Sequence, residues 1–248
     1  KLERELILSQ DRSSYVEIDQ VEDCLLPLLE GRMLSQFEIA SKAYVRGSGR
    51  QALWHENGGK SINGPEPVFS SQYLVRECYF RQRRSLLSSA RVGFVSVSAA
   101  TNTRSMMAAI LPHYPAGNSV PFLALSAADE SERAYWALIL VAVLNSLVFD
   151  FGLRTRFGGN NLNYFLLDQC SVPRALLAIQ EQKSTALSLR LLDLIAQVSA
   201  VLSFTHLSQA AVVSHYLTRG SQTQSQLQSM GLFAAELAHF RARANESS

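Results

Sequence analysis

A short polar segment between residues 154 and 163 carries the side chains of this chain that are best suited to binding chemistry. Arginine forms bidentate contacts with phosphates, asparagine amides pair with adenine edges, and glycine lets a backbone approach a ligand closely. The segment combines all three types in Arg154, Arg156, Gly158, Gly159, Asn160, Asn161 and Asn163. This pattern predicts a nucleic-acid contact, and the alternative is a turn whose asparagines cap their own backbone.

A second candidate segment, between residues 76 and 104, is strongly basic. It contains six arginines against a single acidic residue, Glu77, with aromatic residues interleaved. Arginines neutralise phosphates, and aromatic rings either stack on bases or pack in a core. The pattern therefore predicts phosphate anchors, and a solvated face above an ordinary sheet is the alternative. The candidate anchors are Arg81, Arg83, Arg84 and Arg104.

The charge of the whole chain hides this basic segment. The 248 residues carry a net charge of +2, but residues 1–30 hold eight acidic and three basic groups, whereas residues 31–128 hold four and eleven. Only four of the 23 basic residues are lysine, which suits bidentate recognition and is also what a GC-rich genome produces. With 47% hydrophobic and 18% charged residues, the composition excludes collagen-like, coiled-coil and disordered classes.

Familiar catalytic and metal motifs are missing from the sequence. The five histidines are scattered without ligand spacing, so we expect no metal site. Asp168, Glu181 and Lys183 follow the order of a metal-dependent nuclease, but the last two fall in a predicted helix, where side chains two residues apart diverge. The most apolar stretch, residues 134–149, is shorter than the ~20 residues of a membrane span, so we expect no membrane partner. Three cysteines without ligand spacing favour a reducing cytoplasm.

The order of elements predicts an α+β fold. After a polar, acidic lead-in of 20 residues and a long loop at 47–67, β-like runs cover residues 68–79, 91–99, 106–114 and 120–125. A helix capped by Ser126 is predicted to continue to Gly152, and helical patterns return at 176–217 and 230–243. We therefore predict a mixed, mainly antiparallel sheet with a long helix in residues 1–174, followed by a helical segment in residues 175–248.

Four ordered blocks give the chain a resemblance to a known family. The blocks are PLLEGRMLSQF at 27–37, the arginine and aromatic run at 73–79, residues 90–121, and NSLVFD at 145–150 with the Gly-Gly pair, Asn163-Tyr-Phe165 and Pro173. Together they resemble the C-terminal target-recognition region of type IIG restriction–modification methylases and phage-defence adenine methyltransferases. The resemblance covers about residues 21 to 174.

This resemblance implies a division of labour. Such enzymes hold S-adenosylmethionine and an Asn-Pro-Pro-Tyr motif in an upstream catalytic domain, and no Pro-Pro pair occurs in this sequence. The chain, which opens without an initiator Met, would be a non-catalytic piece of a DNA N6-adenine methyltransferase of the bacterial or archaeal cytoplasm, without a cofactor of its own. Its implied partners are double-stranded DNA, the catalytic domain, and other defence-system subunits. The alternative is a helical interaction module that docks such a subunit without reading DNA.

Overall fold

The computed structural model describes residues 2–3, 12–17, 25–57, 68–84, 90–126, 129–170 and 191–203, together with Gln209 and Val212. The fold is α+β, as the sequence predicts. The strands are β1 (Leu2–Glu3), β2 (Tyr15–Glu17), β3 (Leu25–Pro27), β4 (Lys42–Arg46), β5 (Leu53–Glu56), β6 (Tyr73–Arg76), β7 (Arg91–Phe94), β8 (Ala108–Leu111) and β9 (Phe122–Ala124). The helices are α1 (Glu77–Arg84), α2 (Glu130–Leu144), α3 (Leu147–Arg154), α4 (Tyr164–Asp168) and α5 (Leu191–Ser203).

The central element is an antiparallel sheet with strand order β1-β9-β7-β8. It is covered on both faces, so every residue of β7 and β8 is buried. Because successive side chains of a strand point to opposite faces, Phe94 and Ile110 join the core under α2, while Ala109 and Leu111 join a second core formed with residues 29–39. A Cβ on Gly93 would lie 2.6 Å from the Leu111 side chain, so glycine makes room for that leucine.

The outer edge of β8 is closed by side chains from distant parts of the chain. Asn145, just after α2, accepts a hydrogen bond from the Ala108 N–H at 2.9 Å and donates to the Ala108 carbonyl at 2.8 Å. The backbone N–H of Phe37 also donates to that carbonyl, and the amide of Gln209 donates to the Ile110 carbonyl at 2.9 Å. These groups satisfy an edge that would otherwise expose unpaired backbone groups.

The remaining strands form a second sheet, β2-β6-β3, and the hairpin β4-β5. Three sequence predictions are wrong here. The lead-in supplies two strands, because β1 pairs with β9 and β2 pairs with β6. The predicted loop at 47–67 contains β5, whose partner is β4. The β-like run at 68–79 is a four-residue strand followed by α1, which packs Phe80 against Val75 and Leu28.

The predicted long helix is two helices. Asp129, not Ser126, caps α2, since its side chain accepts a hydrogen bond from the Glu132 N–H at 2.7 Å. The chain breaks at Asn145, Ser146 caps α3 through the Phe149 N–H, and the two helix axes differ by 58°. Within the described residues no single helix is long and apolar enough to span a membrane, and α2 and α3 meet that test only as a bent pair.

Helix α5 packs against α2 and places Leu192, Ala196 and Ala200 in the same core as β7 and β8. Helix α5, which lies beyond the division predicted at residue 174, therefore contributes to the same core as the central sheet. Most of the predicted helical tail, including residues 176–190 and 230–243, lies outside the described residues, as do Glu181 and Lys183.

Candidate nucleic-acid interface

The glycine and asparagine turn at residues 158–161 projects from the end of the central sheet. Phe157 before it and Leu162 after it are buried in the core. The chain beyond β7 forms an antiparallel contact with the far side of the turn: the Leu162 N–H donates to the Ser96 carbonyl at 2.6 Å, and the Ser98 N–H donates to the Asn160 carbonyl at 3.1 Å. The turn is thus short, exposed, and fixed at both ends.

All four residues of this 158–161 turn are exposed. An added Cβ on Gly158 or Gly159 would meet nothing within 4 Å, and neither residue has a positive φ, so the fold does not itself require glycine there. The side chains of Asn160 and Asn161 make no hydrogen bond with any described residue, so their amides are available to a ligand. Asn163 instead caps α4, because its Oδ1 accepts from the Leu166 N–H at 3.1 Å.

Arg154 lies beside the turn but is committed to its own chain. Its Nε donates to Asp150 Oδ2 at 2.9 Å, and its two terminal nitrogens donate to the Ala100 carbonyl at 3.3 Å and the Thr103 carbonyl at 2.6 Å. The guanidinium therefore supports the loop at residues 99–105, and the structure gives it a positioning role. Sequence reasoning missed this role because the two carbonyls are 54 and 51 residues away in the chain.

Asp150 fixes the same loop from inside the protein. The carboxylate is 4% exposed, and its Oδ1 accepts hydrogen bonds from the N–H groups of Ser105 at 2.9 Å and Met106 at 2.7 Å. With Arg154 on its other oxygen, the carboxylate is fully engaged. Burial of this charge is supported by three donors, which is the arrangement that a buried carboxylate requires.

The other described arginines of the predicted site lie either near the 158–161 turn and the 99–105 loop or on helix α1. Arg156, near the turn, is exposed, with Nη1 donating to the Gly152 carbonyl at 2.7 Å. Arg104 is half-buried and donates to the Asn145 carbonyl. Arg81 lies on α1, against the three-stranded sheet, and pairs with Glu77 at 2.5 Å on the surface. The described contacts thus do not join α1 to the 158–161 turn.

Helix α1 also contains Arg83 and Arg84, whose side chains lie outside the described residues. The neighbouring Arg91 is not a surface cation, since it is 1% exposed, donates to the Pro112 and Tyr114 carbonyls, and stacks 5.2 Å from the Phe122 ring centroid. Arg91, one of the six arginines of the basic segment, therefore stabilises the interior of the fold and does not face a ligand.

Three of the four resemblance blocks meet at Asn145. The Gln36 amide and the Arg104 guanidinium both donate to the Asn145 carbonyl, while the Asn145 side chain holds Ala108. The blocks 27–37, 90–121 and 145–150 are therefore in contact with one another at this residue. Comparisons with protein-family models, with curated proteins and with solved structures gave no match to this chain.

The described residues contain no group of three or more His, Cys, Asp or Glu side chains that could hold a metal ion. Asp168, the one described member of the nuclease-like pattern, is exposed at the end of α4. Near the turn, the described residues offer neutral hydrogen-bonding groups and the exposed guanidinium of Arg156.

Proposed function

We propose that this chain is the DNA sequence-recognition part of an S-adenosylmethionine-dependent N6-adenine DNA methyltransferase. It binds duplex DNA in a restriction–modification or phage-defence system of the bacterial or archaeal cytoplasm. Methyl transfer and S-adenosylmethionine belong to a catalytic domain outside this sequence. The observation that carries the proposal is the anchored 158–161 turn, whose two asparagine amides are exposed without hydrogen-bond partners among the described residues.

The turn has the properties that base reading requires. Asparagine amides carry a donor and an acceptor that match the N6 and N7 positions of adenine in the major groove. The two glycines remove side chains that would hold the backbone away from the duplex, and nothing inside the fold explains them. Anchoring by Phe157 and Leu162 fixes the turn before binding, which reduces the entropy lost on association.

A matched set of variants tests this assignment by fluorescence anisotropy with labelled duplex DNA. We expect the Asn160→Ala/Asn161→Ala and Gly158→Ala/Gly159→Ala double variants each to weaken duplex binding at least about tenfold. Gly152→Ala is the control, since an added Cβ there also meets nothing within 4 Å. Equal affinities for the parent chain, both double variants and the control would reject the turn as the contact.

A different observation favours an interaction module as the second candidate. Leu147, Val148 and Phe151 are 75%, 80% and 72% exposed on one helix, which is unusual for large apolar side chains so close together. Such a surface suits a protein partner, for which the methyltransferase catalytic domain or a defence-system subunit is the candidate. This role would be favoured if the chain does not bind duplex DNA but co-purifies with the methyltransferase catalytic domain. Both roles are compatible in one molecule.

A further inference from the structure

We propose that the loop at residues 99–105 is a second DNA-reading segment, with Thr101, Asn102 and Thr103 at its tip. This inference rests on the proposed function and gives a role to three residues that the sequence patterns did not select as DNA contacts. It follows from where the loop leaves the sheet, how it is held, and which side chains it exposes.

The loop and the 158–161 turn leave the sheet at the same point. Residues 96–98 and 160–162 run antiparallel, with a bridge between Val97 and Asn161 and a hydrogen bond from the Ser98 N–H to the Asn160 carbonyl. In an antiparallel pair, the segment that follows Ser98 and the segment that precedes Asn160 emerge at one end. The two segments are therefore neighbours on the surface.

The loop is fixed before any ligand arrives. Its base is closed by the Ser98 Oγ hydrogen bond to the Ser105 carbonyl at 2.7 Å and by the Ser105 Oγ hydrogen bond to the Ala99 carbonyl at 2.8 Å. Inside the loop, the Asn102 N–H donates to the Ala99 carbonyl at 3.1 Å. Arg154 and Asp150 hold the loop from below. Such a constellation on a rigid support is suited to specific recognition.

The side chains at the tip are neutral hydrogen-bonding groups of the kind that read base edges. Thr101, Asn102 and Thr103 are exposed and together supply two hydroxyls and one amide. The Asn102 amide makes only a 3.4 Å hydrogen bond with Ser98 Oγ, which a stronger partner can replace. The Arg104 guanidinium lies behind the tip, directed to the Asn145 carbonyl, and adds positive charge beneath it.

The two segments leave the sheet as a pair of neighbouring chains, which is a form that a DNA groove can accept. Antiparallel chains such as residues 96–98 and 160–162 lie about 4.8 Å apart, and the major groove of B-DNA, about 12 Å wide, admits a two-stranded ribbon. We therefore assign the ligand as the major-groove edge of duplex DNA, read jointly by the loop tip and by Asn160 and Asn161.

The test is selection of preferred sequences by the full chain from duplexes with a randomised central segment. We expect Asn102→Ala to lose discrimination by about tenfold at one or two base positions, different from those lost by Asn160→Ala/Asn161→Ala. Thr101→Ala/Thr103→Ala is the second variant, because it keeps the backbone carbonyl that Arg154 uses. Gln51→Ala, an exposed amide on the β4-β5 hairpin, is the control. All variants should match the parent chain in thermal unfolding.

The outcomes separate this inference from the function on which it rests. Unchanged preferences in both loop variants, with altered preferences in Asn160→Ala/Asn161→Ala, would overturn the loop assignment and leave the proposed function standing. No duplex binding by the parent chain would overturn both. As a direct check on the groove, replacing a preferred adenine with 7-deazaadenine removes a major-groove acceptor. It should weaken the parent chain but not the variant that has lost discrimination at that position.

Discussion

Two polar residues, Asn145 and Asp150, do much of the positioning in this protein. Asn145 holds the edge strand β8 through both atoms of its amide, and Asp150 holds the loop at 99–105 through two backbone N–H groups. Both belong to the sequence block 145–150 that contributes to the family resemblance. The block therefore positions the edge strand and the loop, and Asn145 and Asp150 are not themselves candidates for contact with DNA.

Removing the Asp150 carboxylate should be strongly destabilising. Asp150→Ala leaves the N–H groups of Ser105 and Met106 and the Nε of Arg154 without their carboxylate acceptor. We expect the free energy of unfolding to fall by about 3 kcal/mol in urea denaturation. Asp168→Ala, at an exposed aspartate, is the control and should change it by less than about 0.5 kcal/mol. Similar small changes in both variants would contradict the role assigned to Asp150.

Glu30 should make stability depend on pH. Burial raises the pKa of Glu30 from 4.5 to about 7, against the opposing effects of the Gln72 N–H and Arg32. Between these two values the folded chain binds more protons than the unfolded chain, so its contribution to stability is complete below pH 4.5 and is lost as the pH rises to 7. The loss is on the order of 3 kcal/mol.

The comparison with Glu30→Gln isolates this effect. At pH 8 the variant should be more stable than the parent chain by on the order of 3 kcal/mol, and at pH 4.5 the two should be nearly equal. Urea denaturation at both pH values measures the difference. A stability difference that does not change with pH would show that Glu30 does not titrate in this range.

At the scale of elements, α3 has two faces with different tasks. Its inner face carries Phe149 and Leu153 into the core, and Asp150 and Arg154 to the loop at 99–105. Its outer face presents Leu147, Val148 and Phe151 to solvent. One helix therefore links the candidate DNA surface to a surface suited to a protein partner, so the two proposed roles can be separated by mutation.

Polar substitutions on the outer face should spare the fold. We expect Val148→Ser/Phe151→Ser to change the free energy of unfolding by less than about 1 kcal/mol in urea denaturation, because both side chains are exposed. Phe149→Ala, on the buried face of the same helix, should cost about 3 kcal/mol or more. If the face docks the methyltransferase half, co-purification should be lost while duplex binding persists. Retained co-purification would exclude this face as the docking surface.

The sequence predicted the class of elements better than their ends. Short β-like runs predicted β7, β8 and β9, and helical spacing predicted the segment of α2, because these segments have a strong local pattern. The lead-in strands and β5 were missed, since a strand of two to four residues is defined by its partner and not by its own residues. The break at Asn145 was missed because the amide of Asn145 bonds to Ala108, 37 residues away.

The candidate site was predictable only in part. The exposed 158–161 turn follows from its residue types, but which arginines remain available does not. Arg91 and Arg154 are engaged by carbonyl groups far along the chain, and no local pattern indicates that. No composition marks the tip of the loop at 99–105 as a DNA contact, and its place beside the turn follows from the pairing of residues 96–98 with 160–162 and from the Arg154 hydrogen bonds.

For the whole molecule, neither the net charge nor the number of arginines describes the basic surface. The net charge of +2 is too small a measure of that surface, and the number of arginines is too large a measure. Acidic groups at the start of the chain cancel the basic middle, while Arg91 is buried, Arg154 pairs with Asp150, and Arg81 pairs with Glu77. We therefore expect this chain to neutralise few phosphates and to draw its specificity from neutral side chains.

The salt dependence of duplex binding by the full chain decides whether this chain holds DNA. Anisotropy titrations with a mixed-sequence duplex between roughly 50 and 200 mM salt should give a slope of log affinity against log salt of about −2.7 to −4.5, as about three to five phosphate contacts produce. No binding at the lowest salt concentration, or an affinity that does not change with salt, would contradict the claim that this chain holds DNA.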